Sequence, residues 1–169
     1  MKKKLGFTIV EVLVVIGIIA ILTAIILPSL DNIKKKNRDT ERVADIAAIR
    51  LGLSMYYSKH QTGTGAGYPE SLDDLLSGGY VTQDSLTTPD GGSYLYVPLT
   101  RTAGGDKCTS YHLGVQLDLG SEQIDPNDHF DSTGGENNQL ISAGNYYWCG
   151  SSVSQGINGN TPLMYHVRP

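Results

Sequence analysis

Two groups of residues in this 169-residue chain have types and spacing that could do chemistry. The first is a lone carboxylate, Glu11, four positions into an apolar run from Phe7 to Leu27 that is otherwise broken only by Thr8, Gly17 and Thr23. A charged side chain at bilayer depth costs roughly 2.5–3.5 kcal/mol, so Glu11 needs a partner. The second is the oxygen-rich stretch DLGSEQIDPNDHFD, in which Asp118, Asp125, Asn127, Asp128 and Asp131 crowd together. Oxygen ligands suit Ca2+, with Asp125, Asp128 and Asp131 as candidates, but the spacing fails the EF-hand pattern and a solvated acidic loop accounts for the same residues. Catalysis has little to build on. His60, His112, His129 and His166 are scattered, and neither HExxH nor GxSxG occurs, so no enzyme is expected.

The apolar run reaches the roughly 20 residues that a membrane-spanning helix needs. Lys2, Lys3 and Lys4 precede it, as in a secretory signal, yet the run continues past Ala20 and Ala24 without a small-x-small cleavage site. Two readings remain: an uncleaved anchor, or a leader cut before the run. A cut after Gly6 would give Phe7 a new α-amino group four positions from Glu11. That amine can pair with Glu11 of its own helix or with Glu11 of an adjacent copy. The second pairing would set the axial register between subunits, because removing one partner of a buried ion pair costs several kcal/mol. Glu11 facing lipid headgroups is the third option.

The segment LGFTIVEVLVV resembles the prepilin signature of type IV pilins and type II secretion pseudopilins. The resemblance is specific over residues 1 to about 30. It implies a leader at 1–6, processing by a prepilin peptidase between Gly6 and Phe7, methylation of Phe7, and an assembly role for Glu11 through a neighbouring N-terminus. It also implies an α+β pilin fold: a long N-terminal helix, half membrane-spanning (7–30) and half amphipathic (31–59), on a small antiparallel sheet within 60–169. Pro28 lacks an amide hydrogen, and the resemblance favours a helix kink there over a stop.

Past Pro28, Val43, Ile46, Ala47, Ile49, Leu53, Tyr56 and Tyr57 recur at near-helical spacing, opposite Arg42, Asp45, Arg50 and Lys59. One helix over 7–58 would be about 78 Å long. The glycines of QTGTGAG end it in a loop. Ser71 and Asp74 fit a capping box for a short helix closed by Gly78 and Gly79, and the YP…L..L…GY spacing with Pro89-Asp90-Gly91 again resembles pilins and major pseudopilins. Strands are expected at Tyr94–Val97, Tyr111–Leu119, Gly144–Cys149 and Leu163–Val167. In YHLGVQLDL, Leu113, Val115, Leu117 and Leu119 alternate with polar or small residues, which predicts one face on the helix and the other in water.

Past residue 60 there are three basic residues, Arg101, Lys107 and Arg168, against twelve acids, a formal charge of −9. Such a surface does not suit nucleic acid. Lys34, Lys35, Lys36 and Arg38 suit either phospholipid headgroups or a solvated helix face. The two cysteines, Cys108 and Cys149, pair as a disulfide if the domain is exported and are unrelated buried thiols if it is not.

The reading that follows is a structural subunit: inserted in the cytoplasmic membrane with its N-terminus inside, cleaved, and polymerised with copies of itself by an assembly machine. A type IV pilus subunit is the first form of that reading, and a type II secretion pseudopilin in a short periplasmic filament the second. A minor adhesin subunit and a signal-anchored enzyme are the remaining classes.

Overall fold

A computed structural model describes residues 7–63, 66–102, 105, 107–119, 146–149 and 164–169. The chain divides into two units, Met1–Asn37 and Arg38–Pro169. Helix α1 spans Ile9–Lys59 and is unbroken at Pro28. Helix α2 covers Leu72–Ser77, and a single 3-10 turn covers Asp84–Leu86. Strands follow at Leu95–Thr100 (β1), Ser110–Gln116 (β2), Tyr147–Trp148 (β3) and Met164–Val167 (β4). They form one antiparallel sheet in the order β3-β1-β2-β4, an α+β architecture consistent with the pilin fold. The register places Leu99 opposite Ser110 and Trp148, and Leu113 opposite Val167.

The first unit has an exposed apolar surface: Phe7, Ile9, Val10, Ile18, Ile21 and Ile25 are all at least half exposed. The second unit has the core. Ile46, Ile49 and Leu53 of α1 pack with Leu75 of α2, Leu86, Tyr94, and Tyr111, Leu113, Val115 and Leu117 of β2 and its continuation. Burying such side chains contributes about 1.5–3 kcal/mol each.

Helix α2 begins with the reciprocal pair that Ser71 and Asp74 suggested: the Asp73 amide donates to Ser71 Oγ at 3.1 Å, and the Ser71 amide donates to Asp74 Oδ2 at 3.2 Å. Upstream, Gly67 sits at φ +112° against Cys108, where a Cβ would lie 2.1 Å from the carbonyl oxygen, so only glycine fits. The next amide, Tyr68, donates to that carbonyl at 2.8 Å. Cys108 in turn is bonded to Cys149, with Cα atoms 5.4 Å apart. Closing that loop contributes about 3–4 kcal/mol by chain entropy. Strand β3 ends at Trp148 because of the residue it faces next on β1. The Cys149 amide donates to the Pro98 carbonyl at 3.0 Å, but Pro98 has no N–H to return, so the ladder stops.

The structure corrects three expectations. Arg42, read as solvent-facing, is buried at 4%, and Ala47, read as core, is exposed. The buried stripe of α1 is Asp39, Arg42, Ile46, Ile49 and Leu53, spaced three and four apart, so its first turn is ionic. Strand β2 is covered on both faces: Ser110 and His112 are buried at 7% and 0%, while Leu119, expected inside, is 45% exposed. Alternating polarity reports side-chain type rather than coverage: both faces are buried from Ser110 to Val115, and the polar face reaches water only at Gln116. The strand near residue 94 begins at Leu95 and runs on to Thr100, and the one near 144 is confined to Tyr147–Trp148 among the described residues.

Leu53 is fully buried and Leu51, two residues earlier on the same helix, is 64% exposed. Leu53→Ala is expected to lower unfolding free energy by about 3 kcal/mol and Leu51→Ala by less than about 0.5 kcal/mol, measured by denaturation of the detergent-solubilised chain.

Candidate assembly site

At the start of α1, Thr8 and Glu11 close on each other. The Glu11 amide donates to Thr8 Oγ1 at 3.3 Å, and the Thr8 amide and hydroxyl donate to Glu11 Oε2 at 3.4 and 3.5 Å. This is a capping box, which satisfies helix-end amides that an apolar environment would leave orphaned. The Thr-x-x-Glu spacing was readable in the sequence but was overshadowed by the apolar setting. The carboxylate also lies at the positive end of the helix dipole. Phe7, the residue before the box, is 84% exposed, and Gly6 lies outside the described residues. Farther along, Thr23 Oγ1 donates to the Ile19 carbonyl at 2.8 Å, so its hydroxyl is satisfied within the helix. The helix is long and apolar enough to cross a membrane.

In the second unit, α1 is fastened to the sheet by charge. Arg38 donates from Nε and Nη2 to Asp118 Oδ2 at 2.9 and 2.6 Å. Arg42 reaches Asp39 Oδ1 at 3.0 Å, Asp90 Oδ1 at 3.2 Å and Asp118 Oδ1 at 3.4 Å. Asp39, as buried as Arg42, accepts the amides of Asp118 and Leu119 at 2.7 and 2.8 Å. One carboxylate therefore ties the helix to the chain leaving β2. Burial works against the charge on Arg42, but hydrogen bonds and attraction from Asp90 and Asp118 outweigh it, so its proton is held more tightly than usual. The Thr88 hydroxyl and then Arg42 hold Asp90 below the ordinary carboxylate range, and Arg38 does the same for Asp118. Asp118 is thus occupied by two arginines. The candidate Ca2+ ligands, Asp125, Asp128 and Asp131, lie outside the described residues.

Among the histidines, His60 stacks on Tyr56 with ring centroids 3.9 Å apart and His112 is buried in β2, so both are structural. Tyr146 meets Arg101, whose Nη2 donates to its hydroxyl at 3.0 Å, and Tyr147 and Trp148 form β3. Neither the Asp39–Arg42 tie nor the Arg101–Tyr146 contact was legible beforehand, since their partners are distant in sequence or were assigned to water.

Both depressed carboxylates give stability that is complete above their unfolded value, near 3.8, and is lost as pH falls through their lower folded values. The melting temperature of the full chain is expected to be flat from about pH 7 to 5 and to drop below about pH 4. Asp90→Asn should flatten that drop, and an unchanged acid limb would contradict the assignment. Arg42→Met, which strips Asp39 of its cation, should cost about 3 kcal/mol at neutral pH.

Residues 1–27 match the family described as the prokaryotic N-terminal methylation motif. The chain is similar to type II secretion system core protein G of Aeromonas hydrophila, 31% identical over 100 residues that cover 57% of this chain and 66% of that protein. A match to prepilin peptidase-dependent protein D of Escherichia coli is 38% identical over 60 residues, 36% of this chain and 41% of that one. The chain spans less than two thirds of the Aeromonas protein and 38% of core protein G of Vibrio cholerae. No solved structure matches it. A longer alignment reaches core protein G of Klebsiella michiganensis, 41% identical over 127 residues covering 73% of this chain and 86% of that protein. With the N-terminal motif and an alignment of that extent, the chain belongs to the type II secretion system core protein G family of pseudopilins.

Proposed function

We propose that the chain is a pseudopilin subunit that is held in the inner membrane, cut between Gly6 and Phe7 by a prepilin peptidase, methylated on Phe7, and polymerised through α1 into a short periplasmic filament that drives secretion. The observation that carries this reading is the 127-residue similarity to core protein G, which extends well past the N-terminal motif. The match to prepilin peptidase-dependent protein D, which spans 60 residues, supports processing by such a peptidase and favours neither kind of filament.

The helix explains how assembly would be driven. Within a bilayer association is driven by helix packing rather than by apolar area leaving water, and the residues exposed all round α1 from Phe7 to Ile25 offer a surface that lipid covers before assembly and other copies cover afterwards. The contact extends along the second unit, where Ala44, Ala48, Leu51 and Met55 are exposed at spacings of four and three, opposite Ile46, Ile49 and Leu53. Glu11 is held by Thr8 at the helix tip, where the N-terminus of a neighbouring copy would find a preformed carboxylate. Chemistry on a substrate has no part in this reading. The partners are further copies, the peptidase and the secretion machinery.

Deleting the gene in its host, with complementation by the full chain, tests the proposal. Release of folded exoproteins should stop while surface pili persist, and Glu11→Ala should insert in the membrane yet restore less than about a tenth of secretion, as expected for loss of a buried ion pair. Loss of surface fibres with secretion intact would establish the pilus alternative instead.

A further inference from the structure

The second unit has two recesses whose described lining carries charges of opposite sign. One, of about 500 Å3, is lined by Glu70, Ser71, Asp73, Gln83, Tyr94 and Tyr96 among others, and among the described residues its charged side chains are acidic. Asp84, also exposed, lies next to Gln83. The other, of about 420 Å3, is lined by Arg50, Ser110, Tyr146, Val167, Arg168 and Pro169, and among the described residues its charged side chains are basic. Arg101 adds a third cation there: its guanidinium lies over the Tyr146 ring, 5.2 Å from the centroid. Two of the three basic residues past residue 60 therefore gather at one place in a region of formal charge −9.

The sheet keeps the two recesses apart. Tyr94 and Tyr96 place the acidic recess beside the start of β1. Ser110, opposite Leu99, and Tyr146, next to the residue opposite Thr100, place one side of the basic recess beside its end, and Val167, opposite Leu113, carries the recess across to β4. At 3.3 Å per residue the two ends of β1 are about 17 Å apart. Arg50, Arg101, Glu70 and Asp73 are all exposed.

We propose that the basic recess of one copy (Arg50, Arg101 and Arg168 around Tyr146) docks on the acidic recess (Glu70 and Asp73) of the next. The inference rests on the filament reading above and names the contact that orients its globular units. Two different, complementary patches on one chain make a heterologous contact, and repetition of such a contact builds an open helical array rather than a closed pair. The charges lie at an exposed rim, so the contact selects register and speeds encounter, while α1 supplies apolar burial.

A charge exchange tests it in the full chain, expressed in host cells lacking the wild-type gene, with crosslinked filament ladders as the readout. One variant carries Arg50→Glu and Arg101→Glu, the other Glu70→Lys and Asp73→Lys. Each alone juxtaposes like charges and should yield about tenfold less filament than wild type. Co-expressed, the two should alternate and restore the ladder, because every contact again pairs opposite charges. Wild-type ladders from each variant alone would overturn the proposal, as would no rescue in the mixture while both variants keep the wild-type melting temperature and the Cys108–Cys149 bond. If Arg50→Glu lowers the melting temperature, Arg101→Glu against Asp73→Lys makes the same decision. A wild-type chain that forms no ladder defeats the filament reading itself, an outcome distinct from either.

Discussion

The structure turns on a surface that the described part of its own chain does not cover. Along the first unit, Ile9, Val10, Leu13, Ile16, Ile19, Leu22 and Ile25 stand at least half exposed on α1. In water such a helix would aggregate, so its stable environments are a bilayer core or the apolar helices of other copies. The polar groups within it conform to that constraint. Thr8 and Glu11 satisfy each other at the helix start, and Thr23 is bonded back to Ile19. What remains exposed is apolar surface, which gives subunits a reason to meet.

A filament built on helices can present its globular units only if each unit is fixed to its own helix. The second unit achieves this in two ways. Ile46, Ile49 and Leu53 bury against α2 and β2, and one turn earlier Asp39 and Arg42 replace apolar packing with buried charge that reaches Asp118, Leu119 and Asp90. A buried ion pair adds little net stability over an apolar pair, but it tolerates few alternative arrangements. The disulfide and the Gly67–Cys108 approach likewise hold the chain after α1 to the β3 side of the sheet. Recesses at the two ends of β1 can then be presented in a constant relation to each other.

Much of this was legible in the residues because the signals were local. The apolar run, the lysines before it, the Ser71–Asp74 box and the turn glycines each act over a few residues. The failures had a common physical origin in long-range pairing. Arg42 reads as solvent-facing because its partners Asp90 and Asp118 come 48 and 76 residues later. His112 reads as part of a wet face because periodicity does not register what covers a strand. The end of β3 depends on Pro98, some fifty residues upstream of Cys149.

The most direct test of the account is the intact mass and N-terminal peptide of the protein taken from its native envelope. A chain that begins at N-methylated Phe7 is the predicted result, since processing at that bond creates the N-terminus that Glu11 of a neighbour would meet. A chain that still begins at Met1, in cells with an active prepilin peptidase, would contradict it and leave Glu11 as a helix cap on a signal-anchored protein.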